Sequence, residues 1–247
     1  ASEITGTVDD GTTTSEITAA RVTFSSKNKA SLAGRYTALL AGNDAVPGNG
    51  FLVVTVSPTG AATAAGRLAD GTPVSVGAYL NEDGSVPYYA GVYKSGTGAG
   101  SVLGIMTVQA ECTGTYAWFR PASAGVYYPG GFATSGTMTG SLVPAVTSAN
   151  ALENPQSSIA AQLSGGNLVS EIDENGELSG GKITWTTSNP ASLTLSISAS
   201  GEVTGSFIDP LTGKRRAVLG VWIANQQLGG GFFLGESTAG AMTLSGP

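Results

Sequence analysis

The chain has 247 residues, with 11 Lys and Arg against 17 Asp and Glu for a net charge of −6, no His, 37 Gly and one Cys. Hydrophobic residues make up 41% and charged residues 11%, a balance that supports a packed core and excludes intrinsic disorder. Without His there is no Ser-His-Asp triad, Cys-His pair or imidazole metal site; the acidic balance argues against nucleic acid; and the lone Cys112 can form no intrachain disulfide.

In chain order, residues 1–33 are rich in Thr and Ser. Their apolar residues Ile4, Val8, Ile17, Val22 and Phe24 predict one or two added strands, to pair with the body of the protein or with a neighbouring chain. Beyond residue 33, apolar residues alternate with small polar ones over 51–56, 74–80, 102–108, 193–198, 203–207 and 218–223, the period of a half-buried strand. Turns carrying Gly or Asn separate these runs: Pro58-Thr59-Gly60, Asn81-Glu82-Asp83-Gly84, Asp173-Glu174-Asn175-Gly176, Ala199-Ser200-Gly201 and Asp209-Pro210-Leu211-Thr212-Gly213. Helical tolerance is confined to 146–163, where Pro155 leaves room for a short helical turn. Cys112 falls at or near a hairpin tip and reads as a small packed or semi-exposed residue. No run approaches the roughly 18 to 20 apolar residues of a membrane helix, and no leader pattern opens the chain, so a membrane-embedded chain is not expected.

The chain contains an internal repeat. Val54-Thr55-Val56-Ser57-Pro58-Thr59-Gly60 matches Leu195-Ser196-Ile197-Ser198-Ala199-Ser200-Gly201, and the likeness runs on through Leu68-Ala69-Asp70-Gly71-Thr72 against Ile208-Asp209-Pro210-Leu211-Thr212-Gly213. Strand 74–79 then meets 217–222, and Tyr89-Ala90-Gly91-Val92-Tyr93 meets Gly231-Phe232-Phe233-Leu234-Gly235. Copies about 140 residues apart are too widely spaced for a solenoid or propeller. The reading is an all-β protein: an antiparallel barrel or sandwich at 34–247, built from two related half-barrel repeats (about 34–143 and 164–247) that share one core. An N-terminal strand segment occupies 1–33.

The runs Gly34-Arg35-Tyr36-Thr37-Ala38-Leu39-Leu40, Gly66-Arg67-Leu68-Ala69-Asp70-Gly71-Thr72, Asp83-Gly84-Ser85-Val86-Pro87-Tyr88-Tyr89, Trp118-Phe119-Arg120-Pro121, Tyr128-Pro129-Gly130-Gly131-Phe132 and Gly230-Gly231-Phe232-Phe233-Leu234-Gly235 together resemble a Gly-rich β module of very large bacterial surface or secreted proteins, where it usually follows Ig-like repeats. The likeness spans about residues 34–247. It implies a secreted or cell-surface, multi-domain setting and carries no activity or site residues with it.

Few side chains suggest chemistry. A glycosidase needs two carboxylates about 5 to 9 Å apart, and Glu111, Glu202 and Glu236 are the acids that border strands. Asp173, Asn175 and Glu177 offer hard oxygens of the kind Ca²⁺ takes, without a complete loop pattern; the other reading is a turn of solvated acids. Trp118, Arg120, Tyr127 and Tyr128, with Tyr88 and Tyr89, could form a sugar-stacking platform if exposed, or belong to the core. Lys214-Arg215-Arg216 is the one basic cluster, either a docking knob or a solvated turn. These features describe a structural or adhesive surface protein associating through the 1–33 segment, with itself or with neighbouring surface domains, and with no cofactor. The alternatives are a carbohydrate-binding module taking a glycan and, further off, a glycoside hydrolase.

Overall fold

The computed structural model describes residues 3–93, 100–123, 125–144 and 157–247. Alternating side chains and Gly turns make strands of most segments. Strands β1 (Glu3–Asp9) and β2 (Thr14–Ala20) form a separate antiparallel hairpin. A meander follows through β3 (Gly34–Leu40), β4 (Gly50–Val56), β5 (Ala61–Arg67), β6 (Pro73–Tyr79), β7 (Ser85–Val92), β8 (Gly100–Val108), β9 (Glu111–Arg120) and β10 (Phe132–Leu142), and β10 returns to pair with β3. A second meander, β11 (Ser157–Gly165), β12 (Ile172–Ser179), β13 (Lys182–Trp185), β14 (Thr194–Ile197), β15 (Glu202–Ile208), β16 (Arg215–Ile223), β17 (Leu228–Leu234) and β18 (Ala239–Ser245), closes fully where β18 pairs with β11.

The protein is thus all-β and antiparallel, with two related, barrel-like halves. The repeat is visible in the backbone bonds. Ser57 N–H donates to Ala61 O and Gly60 N–H to Ser57 O at 2.8 and 2.9 Å, and Ser198 to Glu202 and Gly201 to Ser198 do so at the same distances. Gly60 and Gly201 both have φ near +80°, the conformation for which Gly is the residue without a Cβ penalty. The repeat equates β4 to β7 with β14 to β17. It therefore occupies the second to fifth strands of one sheet and the fourth to seventh of the other, a phase shift that an up-and-down barrel tolerates because its last strand pairs with its first.

The expected single core is two. Val54, Leu52, Tyr36 and Met106 belong to a cluster inside the first sheet, and Phe207, Leu193, Val218 and Met242 to one inside the closed barrel. Eight strands enclose an interior just wide enough for side chains to fill, so each half needs no share of the other's. The halves meet outside to outside. Phe51 stacks on Phe232 with ring centroids 6.4 Å apart, Asn49 N–H donates to Gly231 O at 3.0 Å, and Thr37 Oγ1 donates to Trp222 O at 3.3 Å.

Three local expectations are corrected. Asp173-Glu174-Asn175-Gly176 is no turn but the middle of β12: a Cβ on Gly176 would lie 2.6 Å from Thr184 O and 2.9 Å from the Trp185 ring, so this Gly serves close packing. Residues 157–163 of the stretch read as helix-tolerant lie in β11, where Ile159, Ala161 and Leu163 are buried in alternation; residues 146–156, including Pro155, lie outside the described residues. The second sheet accordingly starts at Ser157 rather than near 164. Among the described residues no helix is long and apolar enough to cross a membrane.

Candidate functional site

Of the residues singled out in the sequence, Trp118, Arg120, Tyr127 and Tyr128 do converge, but in a partly buried seam between the halves. Alternation along β9 turns Trp118 inward (3% exposed) and Phe119 outward. Trp118 Nε1 donates to the Tyr93 hydroxyl at 3.1 Å, and Tyr93 donates to Asp70 Oδ2 at 2.6 Å. Arg120 forms an ion pair with the same carboxylate, whose side chain is fully buried, and lies over the Tyr93 ring at 4.8 Å. Burial, reinforced by the Asp70 carboxylate, holds the Tyr93 phenol well above the usual tyrosine range.

The network then crosses to the second half. Arg120 Nη2 donates to Tyr127 O at 2.8 Å, the Tyr127 hydroxyl donates to Gly235 O at 3.0 Å, and Arg216 Nη1 donates to that same carbonyl at 3.0 Å. Arg216 is paired in turn with Asp209 at 3.1 Å, and Ala239 N–H donates to the Tyr128 hydroxyl at 2.9 Å. Burial opposes ionisation of Asp209, yet hydrogen bonds from Thr212 and Arg216 outweigh it and hold its carboxyl below the ordinary range. Asp70 and Asp209 occupy the same turn of the repeat and each takes an Arg, a pairing that no local pattern announces. Trp118, Arg120, Tyr127 and Tyr128 thus belong to the junction of the two halves rather than lining an open platform: the indole N–H is taken by Tyr93, and the Tyr127 and Tyr128 hydroxyls by Gly235 and Ala239 of the second half, while the buried Arg120 Nε has no partner among the described residues. Tyr88 is buried as well, while Tyr89, its neighbour on the opposite face of β7, is exposed.

The exposed apolar side chains gather elsewhere. On the outer face of β7, β8 and β9, Tyr89 stands opposite Leu103 and Pro87 opposite Ile105, with Phe119 one strand further on; Tyr89, Leu103, Ile105 and Phe119 are 44–64% exposed. The sequence showed Tyr89 by alternation with Tyr88 but not the strip it belongs to.

Two of the strand-bordering acids are engaged locally, and Glu171 and Asp173 share the Gln162 side-chain amide at 3.1 and 2.9 Å on the exposed face. Glu202 accepts from Ser200 Oγ at 2.8 Å, and Glu236 is bound by Lys214 at 3.0 Å and Arg216 at 3.4 Å. Lys214 and Arg216 of the basic cluster therefore end in ion pairs within their own half, and Arg215 donates to the Ser206 hydroxyl at 2.8 Å. Asp173, Asn175 and Glu177 follow one another along β12 instead of converging, with Asp173 accepting from Gln162 at 2.9 Å, and among the described residues no group of three acids, Cys or His could hold a metal ion. Cys112 is buried at the start of β9 with its thiol pushed up to about 12 by burial.

The N-terminal hairpin has the plainest asymmetry. Ile4 faces Ala19, Gly6 faces Ile17 and Val8 faces Ser15, so one side is apolar and the other carries Glu3, Thr5, Thr7, Glu16 and Thr18. Every residue of both strands is exposed. The segment after it is held fast: Phe24 fills the space beside Gly60, where a Cβ would lie 2.9 Å from its ring, and Ala30 N–H donates to Pro58 O at 2.8 Å. Of the five apolar residues read as an assembly face, Ile4, Val8, Ile17 and Val22 are free on the surface, and Phe24 is the anchor.

The hairpin turn is built on two ionised carboxylates. Asp10 Oδ1 accepts from the Thr12 hydroxyl at 2.7 Å and from the Thr12 and Thr13 amides, bonds that bring its carboxyl down to about 2; Asp9 is lowered by the Thr14 hydroxyl and the Gly11 amide. A carboxyl with a lowered folded-state pKa stabilises above its unfolded value and loses that contribution as pH falls. The hairpin turn should therefore hold at pH 5 and loosen between about 4 and 2, measured as loss of the Thr12 and Thr13 amide shift dispersion in NMR spectra.

No family model, curated protein or solved structure matches the chain, so its function is read from its own residues.

Proposed function

We propose that this chain is a structural or adhesive module of a secreted or cell-surface protein that assembles through its N-terminal hairpin. The observation that carries the reading is the hairpin itself: an amphipathic two-stranded ribbon with its apolar side in water. An isolated two-stranded ribbon is marginal at best, and an exposed strand edge is a template for pairing with another chain, so this element gains its stability from a partner. A composition poor in charge and rich in Gly, together with the resemblance to Gly-rich modules of bacterial surface proteins, supports the setting. Sedimentation of the full chain over a concentration series should show oligomers, and Ile4→Ser/Val8→Ser/Ile17→Ser should raise the midpoint of assembly at least tenfold. A wild-type chain that stays monomeric throughout would overturn the reading.

The outer strip of Tyr89, Leu103, Ile105 and Phe119 favours a second reading, glycan binding by ring stacking. Retention on polysaccharide that Tyr89→Ala and Phe119→Ala abolish, with assembly unchanged, would select it.

A further inference from the structure

Of the large apolar side chains exposed among the described residues, all but Val22, Val126, Val169 and Leu211 lie on two surfaces. One is the apolar side of the N-terminal hairpin, with Ile4, Val8 and Ile17. The other is the outer face of the first sheet. There Tyr89, Leu103, Ile105 and Phe119 are joined by Tyr79 of β6, which the turn bond from Asn81 N–H to Ser85 O at 2.8 Å sets beside β7. Contiguous exposed apolar surface of this kind marks a place of association.

The two surfaces also share a lack of charge. β6, β7, β8 and β10 contain no charged residue, and β9 has Glu111 at its first position and Arg120, paired with Asp70, at its last. On the hairpin, Ile4, Gly6, Val8, Ser15, Ile17 and Ala19 share one side, while Glu3, Asp9 and Glu16 stand on the other and Asp10 lies in the turn. Residues 3–20 hold these four acids and no base.

Resting on the assembly reading, we infer that the outer face of β7 to β9 is the acceptor for the apolar side of the β1–β2 hairpin of a second copy of this chain. The two pack face to face, as sheets do, with no strand displaced. Charge selects this pairing over hairpin on hairpin. Two hairpins stacked on their apolar sides bring two sets of four acids together without a base, whereas the β7–β9 face presents one acid, Glu111, at one end; like charges brought together in this way suppress a pairing. The lengths agree, because a ribbon of seven-residue strands lies within the span of strands of eight to ten residues. A contact two strands wide and about 23 Å long is small, in the class of weak, reversible interfaces, so assembly through it depends on concentration. Within one chain neither surface is covered. Donor and acceptor are different surfaces, which makes the contact head-to-tail.

The test mixes two full-length chains, Ser15→Cys on the apolar side of the hairpin and Ala117→Cys opposite Leu103, and adds a short-armed bismaleimide. Both positions are exposed, and the buried native thiol does not compete. A dimer linking position 15 to position 117 is expected at least tenfold above that formed by Ser15→Cys with Thr204→Cys, a control on the exposed side of β15. Equal linking to both overturns the inference. So does linking of either variant mainly to itself, which means hairpin on hairpin or face on face, and so does a link that forms only when both substitutions are in one chain. If Ser15→Cys assembles poorly, Ala19→Cys serves as donor. A second variant without added Cys, Leu103→Glu, should raise the midpoint of assembly at least tenfold while Thr204→Glu leaves it in place. An unchanged midpoint with Leu103→Glu overturns the inference, and loss of polysaccharide retention in the same variant then assigns the face to glycan. Chains that sediment as oligomers but do not link at position 117 sink this acceptor and leave the assembly reading standing; chains that neither sediment as oligomers nor link sink both.

Discussion

Asp70→Asn will destabilise the first half by about 3 to 5 kcal/mol, the cost of leaving one member of a buried ion pair without its partner. The Asp70 side chain has no exposed surface and that of Arg120 only 11%, so water cannot replace the lost charge. Asp70 also accepts from Tyr93 and, at 2.9 Å, from Thr72 N–H, and the substitution disturbs those bonds as well. Calorimetry should show a fall in Tm on the order of 10 °C. Asp70→Asn/Arg120→Met should recover part of the loss, because no buried charge is then left unpaired. A single substitution within about 0.5 kcal/mol of wild type would mean that the pair is solvated and the junction differently built.

Phe233→Ala will cost the closed barrel about 3 to 5 kcal/mol through lost burial and the cavity left behind. Phe233 is 1% exposed and meets Phe207 edge-on with centroids 5.0 Å apart. Gly166 and Gly240 are moulded to its ring: a Cβ on either would lie within 2.4 Å of it, so the neighbours cannot move in to fill the space without rearranging the backbone. Urea unfolding followed by amide exchange should place the loss in β11 to β18 and leave Val54 and Leu52 protected, since they belong to the other cluster. Loss of protection spread evenly over both halves would show that the two cores unfold as one.

The architecture was legible because its signals are local. Alternation located the strands, and Pro58-Thr59-Gly60 and Ala199-Ser200-Gly201 form the turns their residues imply. What was misread depends on contacts between distant segments. Gly176 looks like a turn residue until Trp185 is seen packed against it. Trp118, Tyr127 and Tyr128 have the composition of a sugar platform, and only the position of Asp70, fifty residues from Arg120, shows that they are occupied. The division into two cores was hidden for a similar reason: a repeat shows that two halves are alike, and strand number, not likeness, decides whether each can close alone.

Assembly turns on whether the hairpin is covered by another chain. Amide hydrogen exchange across Glu3–Ala20, recorded on the full chain at a high and a roughly hundredfold lower concentration, tests this most directly. Slow exchange of the β1 and β2 amides is expected at the higher concentration and fast exchange on dilution, with β3 to β18 slow in both. Fast exchange at both concentrations, or protection that dilution leaves untouched, would contradict assembly through the hairpin.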